Sequence, residues 1–243
     1  MQAVFNELEV GLARSEAEIN QCQKLRADIF DAGNSQHPNG RECDEYDRFC
    51  DHLIVRDRKQ DLIVGTYRLL PSFKAKTVGF HAEKIFDITN IKKIKGNILE
   101  LGRSCIRADY RLSLVINLLW RGINEYVQQN EIDFLIGCPR LKTSDIKEIS
   151  RSFLFLKKNF YSCEDLRVYP RAECKIPIIE DIEVDASEKM LRHLPPLVKG
   201  YLKTGAVVCG YPALNKEFGS TVVFMLLDFS LVNPRYRRRF SHP

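Results

Sequence analysis

Two charged residues, Glu100 and Arg103, lie three positions apart inside the otherwise apolar segment from Ile98 to Ile106. Such an apolar run is typical of a central strand that is covered on both faces. A carboxylate there is costly to bury unless it is paired or takes up a proton, so Glu100 is a candidate general base. A glutamate at a strand edge that faces water is the alternative. Strict alternation would send the two charges to opposite faces, but a bulge at Gly102 would turn both toward one cleft.

The end of this strand and the segment that follows it offer groups for binding an anionic ligand. Apolar residues at helical spacing predict a helix from Leu112 to Gln129. A strand that leads into a helix N-terminus offers free backbone N–H groups, which suit a phosphate or an oxyanion. We therefore take the backbone of Cys105, Ile106 and Arg107, with the charge of Arg111, as candidates for binding such a ligand.

Other charges lie in or near apolar segments and need partners. Arg26 falls on the apolar face of a predicted helix, and Arg68 lies within a predicted strand. The polar stretch 31–51 ends in closely spaced acids, and one of them is the natural partner of Arg26. An arginine that extends from the edge of the stripe into water is the alternative for Arg26. We expect six charged residues to converge: Arg26, Asp44, Asp47, Arg68, Glu100 and Arg103.

The elements that must position these charges alternate between strands and helices. The pattern predicts a strand at 7–13, a helix at 15–30 with a capping box of Ser15 and Glu18, a hairpin of 53–55 with 62–70, a strand at 133–138, a helix at 143–160 capped by Thr143 or Ser144, a helix at 194–203, and paired strands at 206–209 and 222–227. We expect a single α/β (α+β) domain over residues 1–243, with a helical and strand extension at about 186–243.

Composition excludes several classes of protein. The 243 residues are 44% hydrophobic, which is enough for a core, and no run of eighteen apolar residues predicts a membrane span. The N-terminus shows no secretory signal. The eight cysteines are scattered and form no CxxC pair, so we expect reduced, buried thiols and no metal site. The net charge of +5 is concentrated in two clusters.

The two basic clusters are candidate docking surfaces for an acidic partner, with solvated surface as the alternative. They comprise Arg235, Arg237, Arg238 and Arg239 near the C-terminus, and Lys92, Lys93 and Lys95. An acidic protein or an anionic lipid surface would fit them. The sequence contains no nucleic-acid recognition motif, so a nucleic-acid partner is not expected.

The segment GRSCIRADYR followed by VINLLW resembles the acetyl-coenzyme A-binding motif of the GNAT acyltransferase superfamily. More narrowly, it is similar to the branch of ornithine N-acyltransferases and N-acyl amino acid synthases. Four further segments resemble that branch: DEYDRFCDHLIV at 44–55, IVGTYRLLP at 63–71, LPPLVKGYLKTGAVVCGYPALNKEF at 194–218 and NPRYRRRF at 233–240. The Asp–Tyr–Asp, GTYRLLP and Glu–Leu–Gly–Arg elements also resemble acyl-homoserine-lactone synthases.

The resemblance implies a GNAT-like fold, with a mixed, mainly antiparallel twisted sheet flanked by helices. It implies a V-shaped split between the strand at 98–106 and the strand at 133–138, where the donor enters. Glu100 would take the proton of the amine, and Arg103 would hold the carboxylate of the acceptor. The substrate-binding residues would be Arg26, Phe30, Asp44, Asp47, Arg68 and Phe86.

The activity implied is transfer of a (3-hydroxy)acyl chain from acyl carrier protein to the α-amino group of an amino acid, with L-ornithine as the first choice and a lyso-ornithine lipid as the product. No cofactor is expected beyond the acyl-phosphopantetheine of the donor, because 111–114 replaces the glycine-rich loop of acetyl-coenzyme A enzymes. An acyl-homoserine-lactone synthase, a synthase with another amine, and a non-catalytic module that binds a carrier protein or membrane are the alternatives. We expect a cytoplasmic protein and leave a peripheral membrane contact open.

Overall fold

The computed structural model describes residues 7–30, 39–110, 113–183 and 188–232. The first elements are β1 (Leu8–Leu12), α1 (Glu16–Phe30), β2 (Asp51–Asp57), β3 (Leu62–Pro71), α2 (Ser72–Val78), β4 (Phe86–Asp87), α3 (Thr89–Lys92), β5 (Ile98–Ile106) and α4 (Ser113–Gln129). They are followed by β6 (Phe134–Gly137), α5 (Ile146–Phe160), β7 (Tyr169–Pro170), α6 (Glu188–His193), α7 (Pro196–Thr204), β8 (Val207–Val208), β9 (Ala213–Asn215), β10 (Ser220–Val222) and β11 (Met225–Asp228).

The described chain forms two compact units. The first unit contains the described residues up to Val78 and the segment Leu99–Ile132. The second contains Gly79–Ile98 and the described residues from Asp133 onward. The sequence predicted a single domain with an extension from about residue 186. The boundaries of the two compact units lie at other residues and do not test this prediction.

In the first unit the strand order is β1-β2-β3-β5, and each neighbouring pair is antiparallel. Leu53 and Ile54 are successive residues of β2, so their side chains point to opposite faces of the sheet. Ile54 packs with Cys22 and Leu25 of α1. A Cβ on Gly122 of α4 would lie 2.6 Å from Leu53 Cδ1, so α4 packs tightly on the other face. The two helices therefore cover opposite faces of these strands.

The start of α1 follows the predicted capping box. The backbone N–H of Glu18 donates to Ser15 Oγ at 3.2 Å, and the Glu18 carboxylate accepts from the backbone N–H of Ser15 at 3.1 Å. The two residues thus satisfy each other's free N–H groups. This fixes the direction of α1, which carries Arg26.

In the second unit β11 pairs antiparallel with both β6 and β8, while β9 pairs with β10 and β4 with β7. The predicted pairing of the two C-terminal strands is confirmed by β8 and β11. α7 begins with Pro196 and ends at Thr204, and the next residue, Gly205, has φ of +106°, as the sequence predicts for a proline start and a glycine stop.

The predicted cap of α5 was wrong. Asp145, rather than Thr143 or Ser144, caps the helix, and its carboxylate accepts from the N–H groups of Lys147 and Glu148 at 2.7 and 3.0 Å. Thr143 instead accepts from the backbone N–H of Asp145. A charged carboxylate at the positive end of a helix explains this choice.

The predicted fold class is confirmed: the chain has an α/β fold with mainly antiparallel strands flanked by helices. The V-shaped split stays a prediction, because its two strands belong to different units. Among the described helices, none combines the length and the apolar character that crossing a membrane requires.

Candidate active site

β5 is irregular at the position of the predicted catalytic residues. Its register with β3 pairs Cys105 with Thr66 but Gly102 with Arg68, so β5 has one residue more than β3 between these pairs. Such an extra residue is a β-bulge. Arg103 lies within it and has φ of +51°, a left-handed conformation that is costly for any residue other than glycine. The bulge predicted at Gly102 is confirmed, with Arg103 as its left-handed residue.

The bulge brings Glu100 and Arg103 to the same face of the sheet. In the register of β3 and β5, Glu100 and Arg68 point to one face. Regular alternation would turn Arg103 to the other face. Instead, Arg103 Nη2 lies 3.0 Å from Asp44 Oδ2, while Asp44 Oδ1 lies 2.7 Å from Arg68 Nη1. Glu100 is 6% exposed, so the face that carries it is closed to bulk water.

Three arginines and three acids form a closed ring of ion pairs on this face, which we call the charge ring. Its six pairs, in order, are Arg26 Nε–Glu42 Oε2 at 2.7 Å, Glu42 Oε1–Arg103 Nε at 2.7 Å, Arg103 Nη2–Asp44 Oδ2 at 3.0 Å, Asp44 Oδ1–Arg68 Nη1 at 2.7 Å, Arg68 Nη1–Asp47 Oδ2 at 3.2 Å and Asp47 Oδ1–Arg26 Nη2 at 2.6 Å. Every one of these side chains is at most 10% exposed. Because positive and negative charges balance, the ring is neutral without Glu100.

Local turn chemistry aims the acids of the ring. The arginines come from α1, β3 and β5, whereas the acids come from the stretch 39–50 that joins α1 to β2. The carboxylate of Asp47 accepts from the backbone N–H of Asp44 at 2.9 Å, and the carboxylate of Asp44 accepts from that of Tyr46 at 2.8 Å. Such side-chain to backbone bonds are the usual role of aspartate in turns. They hold both carboxylates over the sheet.

The charges of the ring shift the pKa values of two of its members, Asp44 and Arg68. Burial alone would raise the pKa of Asp44, but the positive charges of Arg68 and Arg103 outweigh it and hold that pKa at about 2. Burial would lower the pKa of Arg68, but the carboxylate of Asp44 keeps it above its ordinary value. Asp44 and Arg68 therefore stay ionised at neutral pH.

Two further titratable groups lie beside the ring. His52 is 2% exposed, and its Nε2 lies 3.2 Å from the backbone carbonyl oxygen of Asp47. Burial lowers the pKa of His52, so its imidazole is neutral at neutral pH. Burial also raises the pKa of the Cys50 thiol to about 12, with the charge of Glu100 adding to the effect. A thiol that remains protonated is a poor nucleophile.

The two phenylalanines predicted to bind substrate lie in different units. Phe30 is half-buried at the end of α1 and packs against the apolar cluster that contains Cys22 and Cys105. Phe86 belongs to the second unit, where it is fully buried and meets Phe224 edge to face with ring centroids 5.8 Å apart. Substrate binding by either residue stays a prediction.

The candidate donor-binding residues sit at the end of β5. The backbone N–H of Arg107 donates to the carbonyl of Val64 at 2.9 Å. Since bonded and non-bonded pairs alternate in an antiparallel ladder, the N–H of Cys105 also faces β3 and that of Ile106 faces away from it. Among these three N–H groups, that of Ile106 is the one that does not face β3. Arg111 lies outside the described residues, as does the arginine cluster at 235–239.

Of the six charges predicted to converge, five are members of the charge ring, and Glu100 lies on the same face. Glu42 was missed by sequence reasoning. It lies in a stretch without periodicity, where no pattern distinguishes one acid from another. A count of charge does not reveal it either, because the six predicted residues already balance as three arginines and three acids when Glu100 is included.

Of the eight cysteines, all described, each is free. Five of them are buried, at positions 22, 50, 105, 174 and 209. Cys43 and Cys163 are exposed, so the expectation of buried thiols was wrong for these two, which lie in polar connecting segments rather than in strands.

Comparison with known proteins places this chain in a family. Residues 18–121, which include the charge ring and Glu100, match the family model described as an acetyltransferase (GNAT) domain. The L-ornithine N(alpha)-acyltransferase of Brucella abortus (strain 2308) is 32% identical over 245 residues, covering 94% of this chain and 87% of that protein. The enzyme of the same name from Rhizobium meliloti (strain 1021) is 32% identical over 262 residues, covering 97% and 87%.

Two solved structures have a fold similar to that of this chain. A CoA-dependent acyl-homoserine lactone synthase, BjaI, has a TM-score of 0.54 at 14% identity, covering 96% of this chain and 87% of that chain. FeeM, an N-acyl amino acid synthase from uncultured soil microbes, has a TM-score of 0.54 at 9% identity, covering 96% and 94%. At these identities the likeness supports a shared fold.

Proposed function

Because the chain is an acyltransferase that belongs to the family of the L-ornithine N(alpha)-acyltransferases, we propose that it acylates the α-amino group of L-ornithine with a (3-hydroxy)acyl chain carried by acyl carrier protein. The observation that carries this proposal is the 32% identity to the Brucella abortus enzyme over 94% of this chain. The product is the N-acylated amino acid, a lyso-ornithine lipid.

Glu100 is the proposed general base. The acceptor amine arrives mainly as an ammonium and must lose a proton before its nitrogen can attack. Glu100 lies buried in β5 on the same face as the charge ring. It takes the amine proton directly or through a water. General base catalysis of this kind contributes about 10²–10⁴-fold.

The backbone at the end of β5 is the proposed oxyanion site. Attack forms a bond from the amine nitrogen to the thioester carbon and places negative charge on the carbonyl oxygen. The N–H of Ile106 does not face β3, which supports it as the group that stabilises that charge. Collapse of the intermediate breaks the C–S bond, and the phosphopantetheine thiolate leaves and takes up the second proton that the nitrogen loses as it becomes an amide.

The donor is proposed to be acyl carrier protein rather than free coenzyme A. The segment from Arg111 to Leu114 lacks the glycines that bind the coenzyme A pyrophosphate, and the basic clusters at 92–95 and 235–239 complement an acidic carrier. Of these, Lys92, Lys93 and Lys95 are exposed. Lys92 pairs with Glu83 at 3.0 Å.

The proposal is tested by incubating the purified chain with 3-hydroxyacyl carrier protein and each of the twenty amino acids plus L-ornithine, with products identified by mass spectrometry. We expect N-acyl-ornithine as the main product. A parallel reaction with S-adenosylmethionine tests lactone synthesis, and one with 3-hydroxyacyl-coenzyme A tests the donor. Acylation of another amine in preference to ornithine would contradict the proposed acceptor, and equal use of the coenzyme A thioester would contradict the proposed donor.

A further inference from the structure

We propose that Glu42 is a positioning residue for acyl transfer: it holds Arg103 in the left-handed conformation that forms the bulge of β5, and so sets the shape of the strand that carries Glu100. This inference rests on the proposed function for its kinetic consequence. Its structural part, the dependence of the Arg103 conformation on Glu42, stands on the geometry alone.

Glu42 is anchored from α1, independently of β5. Its backbone N–H donates to the carbonyl of Gln23 at 3.0 Å, and its own carbonyl accepts from Arg26 Nη2 at 2.6 Å. One carboxylate oxygen pairs with Arg26 Nε at 2.7 Å. The whole residue is 1% exposed. A residue held in this way can impose a position on its remaining partner.

That partner is Arg103. The second carboxylate oxygen of Glu42 lies 2.7 Å from Arg103 Nε, and Asp44 lies 3.0 Å from Arg103 Nη2. Arg103 has φ of +51°, which a residue with a Cβ adopts only when its surroundings force it. The two carboxylates supply that force. They hold the guanidinium on the face that carries Glu100, whereas regular alternation would place the Arg103 side chain on the opposite face.

The conformation of Arg103 matters for Glu100 because the two residues share one short segment of β5. The bulge begins after Gly102, which lies opposite Arg68, and it changes the direction of the strand locally. If Arg103 returned to an extended conformation, its charge would leave the ring and the residues after Gly102 would shift relative to β3. The backbone that follows, with the N–H of Ile106, would move with them.

The test compares Glu42→Gln with Arg103→Gly and with the double variant. Glycine adopts a positive φ without strain and carries no charge to satisfy, so Glu42 has nothing to hold in that background. We expect Glu42→Gln to lower kcat by about 10-fold to 10²-fold at saturating donor and acceptor, as a small displacement of reacting groups does. In the Arg103→Gly background the same change should lower kcat by less than about 2-fold.

The matched control is Glu18→Gln, which removes a carboxylate from Arg56 in the same unit but far along the chain from β5. Glutamine also serves in a capping box, so α1 should keep its start. We expect its kcat to equal that of the wild type. Should Glu42→Gln fail to fold, Glu42→Asp keeps the charge but shortens the side chain by one methylene, and it should show the same loss of kcat in a folded protein.

If Glu42 is merely structural, Glu42→Gln and Glu42→Asp will lower the unfolding midpoint and leave kcat per folded molecule unchanged. That result would overturn the proposal. An equal loss of kcat with and without the Arg103 side chain would overturn it as well. If the wild type acylates an amine other than ornithine, the proposed acceptor fails and the comparison is run with that amine. If no amine is acylated, denaturant unfolding of the wild type, Glu42→Gln, Arg103→Gly and the double variant still reports the coupling of Glu42 to Arg103. Additive shifts of the unfolding midpoint in the two single variants would refute that coupling.

Discussion

Arg68 and Gly102 lie directly opposite each other in β3 and β5, and a Cβ placed on Gly102 would come no closer than 3.9 Å to Arg68 Nε. That is ordinary van der Waals contact, and φ at Gly102 is not positive. The glycine next to the bulge is therefore neither its left-handed residue nor needed for a close approach. The bulge depends on charge instead, since the guanidinium of Arg103 is fixed by Glu42 and Asp44.

Gly102→Ala is accordingly expected to fold and to keep its unfolding midpoint or raise it slightly, because alanine reduces the freedom of the unfolded chain. Gly122→Ala is the contrasting variant. Its Cβ would meet Leu53 Cδ1 at 2.6 Å and Val10 Cγ2 at 2.8 Å, so these side chains or α4 itself would have to shift. Urea unfolding of the two variants checks the prediction. A larger loss at Gly102 than at Gly122 would contradict it.

Glu100→Gln should separate chemistry from structure. Glutamine keeps the size of the side chain and most of its hydrogen-bonding capacity, so the variant should keep a melting temperature close to that of the wild type. Its turnover number should fall by at least about 10²-fold, the lower end for loss of a general base. The acidic limb of the pH–rate profile should flatten, because the titrating group has gone. A stable variant with full turnover would remove Glu100 from the mechanism.

Asp47→Asn should destabilise the fold strongly. Asp47 bridges Arg26 and Arg68 at 2.6 and 3.2 Å, and all three side chains are at most 8% exposed. Neutralising it leaves an uncompensated buried positive charge, which costs about 3–5 kcal/mol of the free energy of unfolding. Asp61→Asn is the control, since Asp61 pairs with Arg56 while 80% exposed and should leave the urea midpoint unchanged. Equal midpoints for the two variants would show that the ring adds nothing to stability.

The stability of the fold should fall at mildly acidic pH because of His52. Burial lowers the pKa of His52 below 6.5, its ordinary value, with the nearby charges of Arg26 and Arg68 adding to the effect and that of Asp47 opposing it. Below that pH the unfolded chain binds more protons at this site than the folded protein does. The free energy of unfolding should therefore drop as the pH falls from about 7.5 to about 5.5.

The check is urea unfolding across this range for the wild type and for His52→Gln, whose amide can still donate to the Asp47 carbonyl. We expect a shallower pH dependence in the variant, with the difference confined to the acidic end. Identical slopes would mean that His52 keeps the same proton affinity in both states.

Thiol reactivity should follow burial. Iodoacetamide at neutral pH should label Cys43 and Cys163, which are exposed, and should leave Cys50 and Cys105 unlabelled in the folded protein. Burial raises the pKa of Cys50 to about 12 and also raises that of Cys105. Peptide mapping after brief labelling reads this directly. Rapid labelling of Cys50 would indicate a reactive thiol beside Glu100 and would reopen nucleophilic catalysis.

Sequence by itself determined the local elements and the identity of most charged residues in the site. The apolar run of β5, the capping box of Ser15 and Glu18 and the glycine stop of α7 depend on neighbours in the chain, so their patterns predict them. The need of Arg26, Arg68 and Arg103 for partners also follows from sequence, because a charge within an apolar element must be paired.

Only the tertiary structure decided which acid meets which arginine. Glu42 and Arg103 are 61 residues apart and pair through a stretch without periodicity, which no local pattern specifies. The same holds for the positive φ of Arg103, since nothing in the sequence marks an arginine as left-handed. That conformation results from ion pairs between α1, the stretch 39–50 and β5. It exists only when all three are packed together, because a charge network of this kind loses its stabilisation as soon as one member is exposed to water.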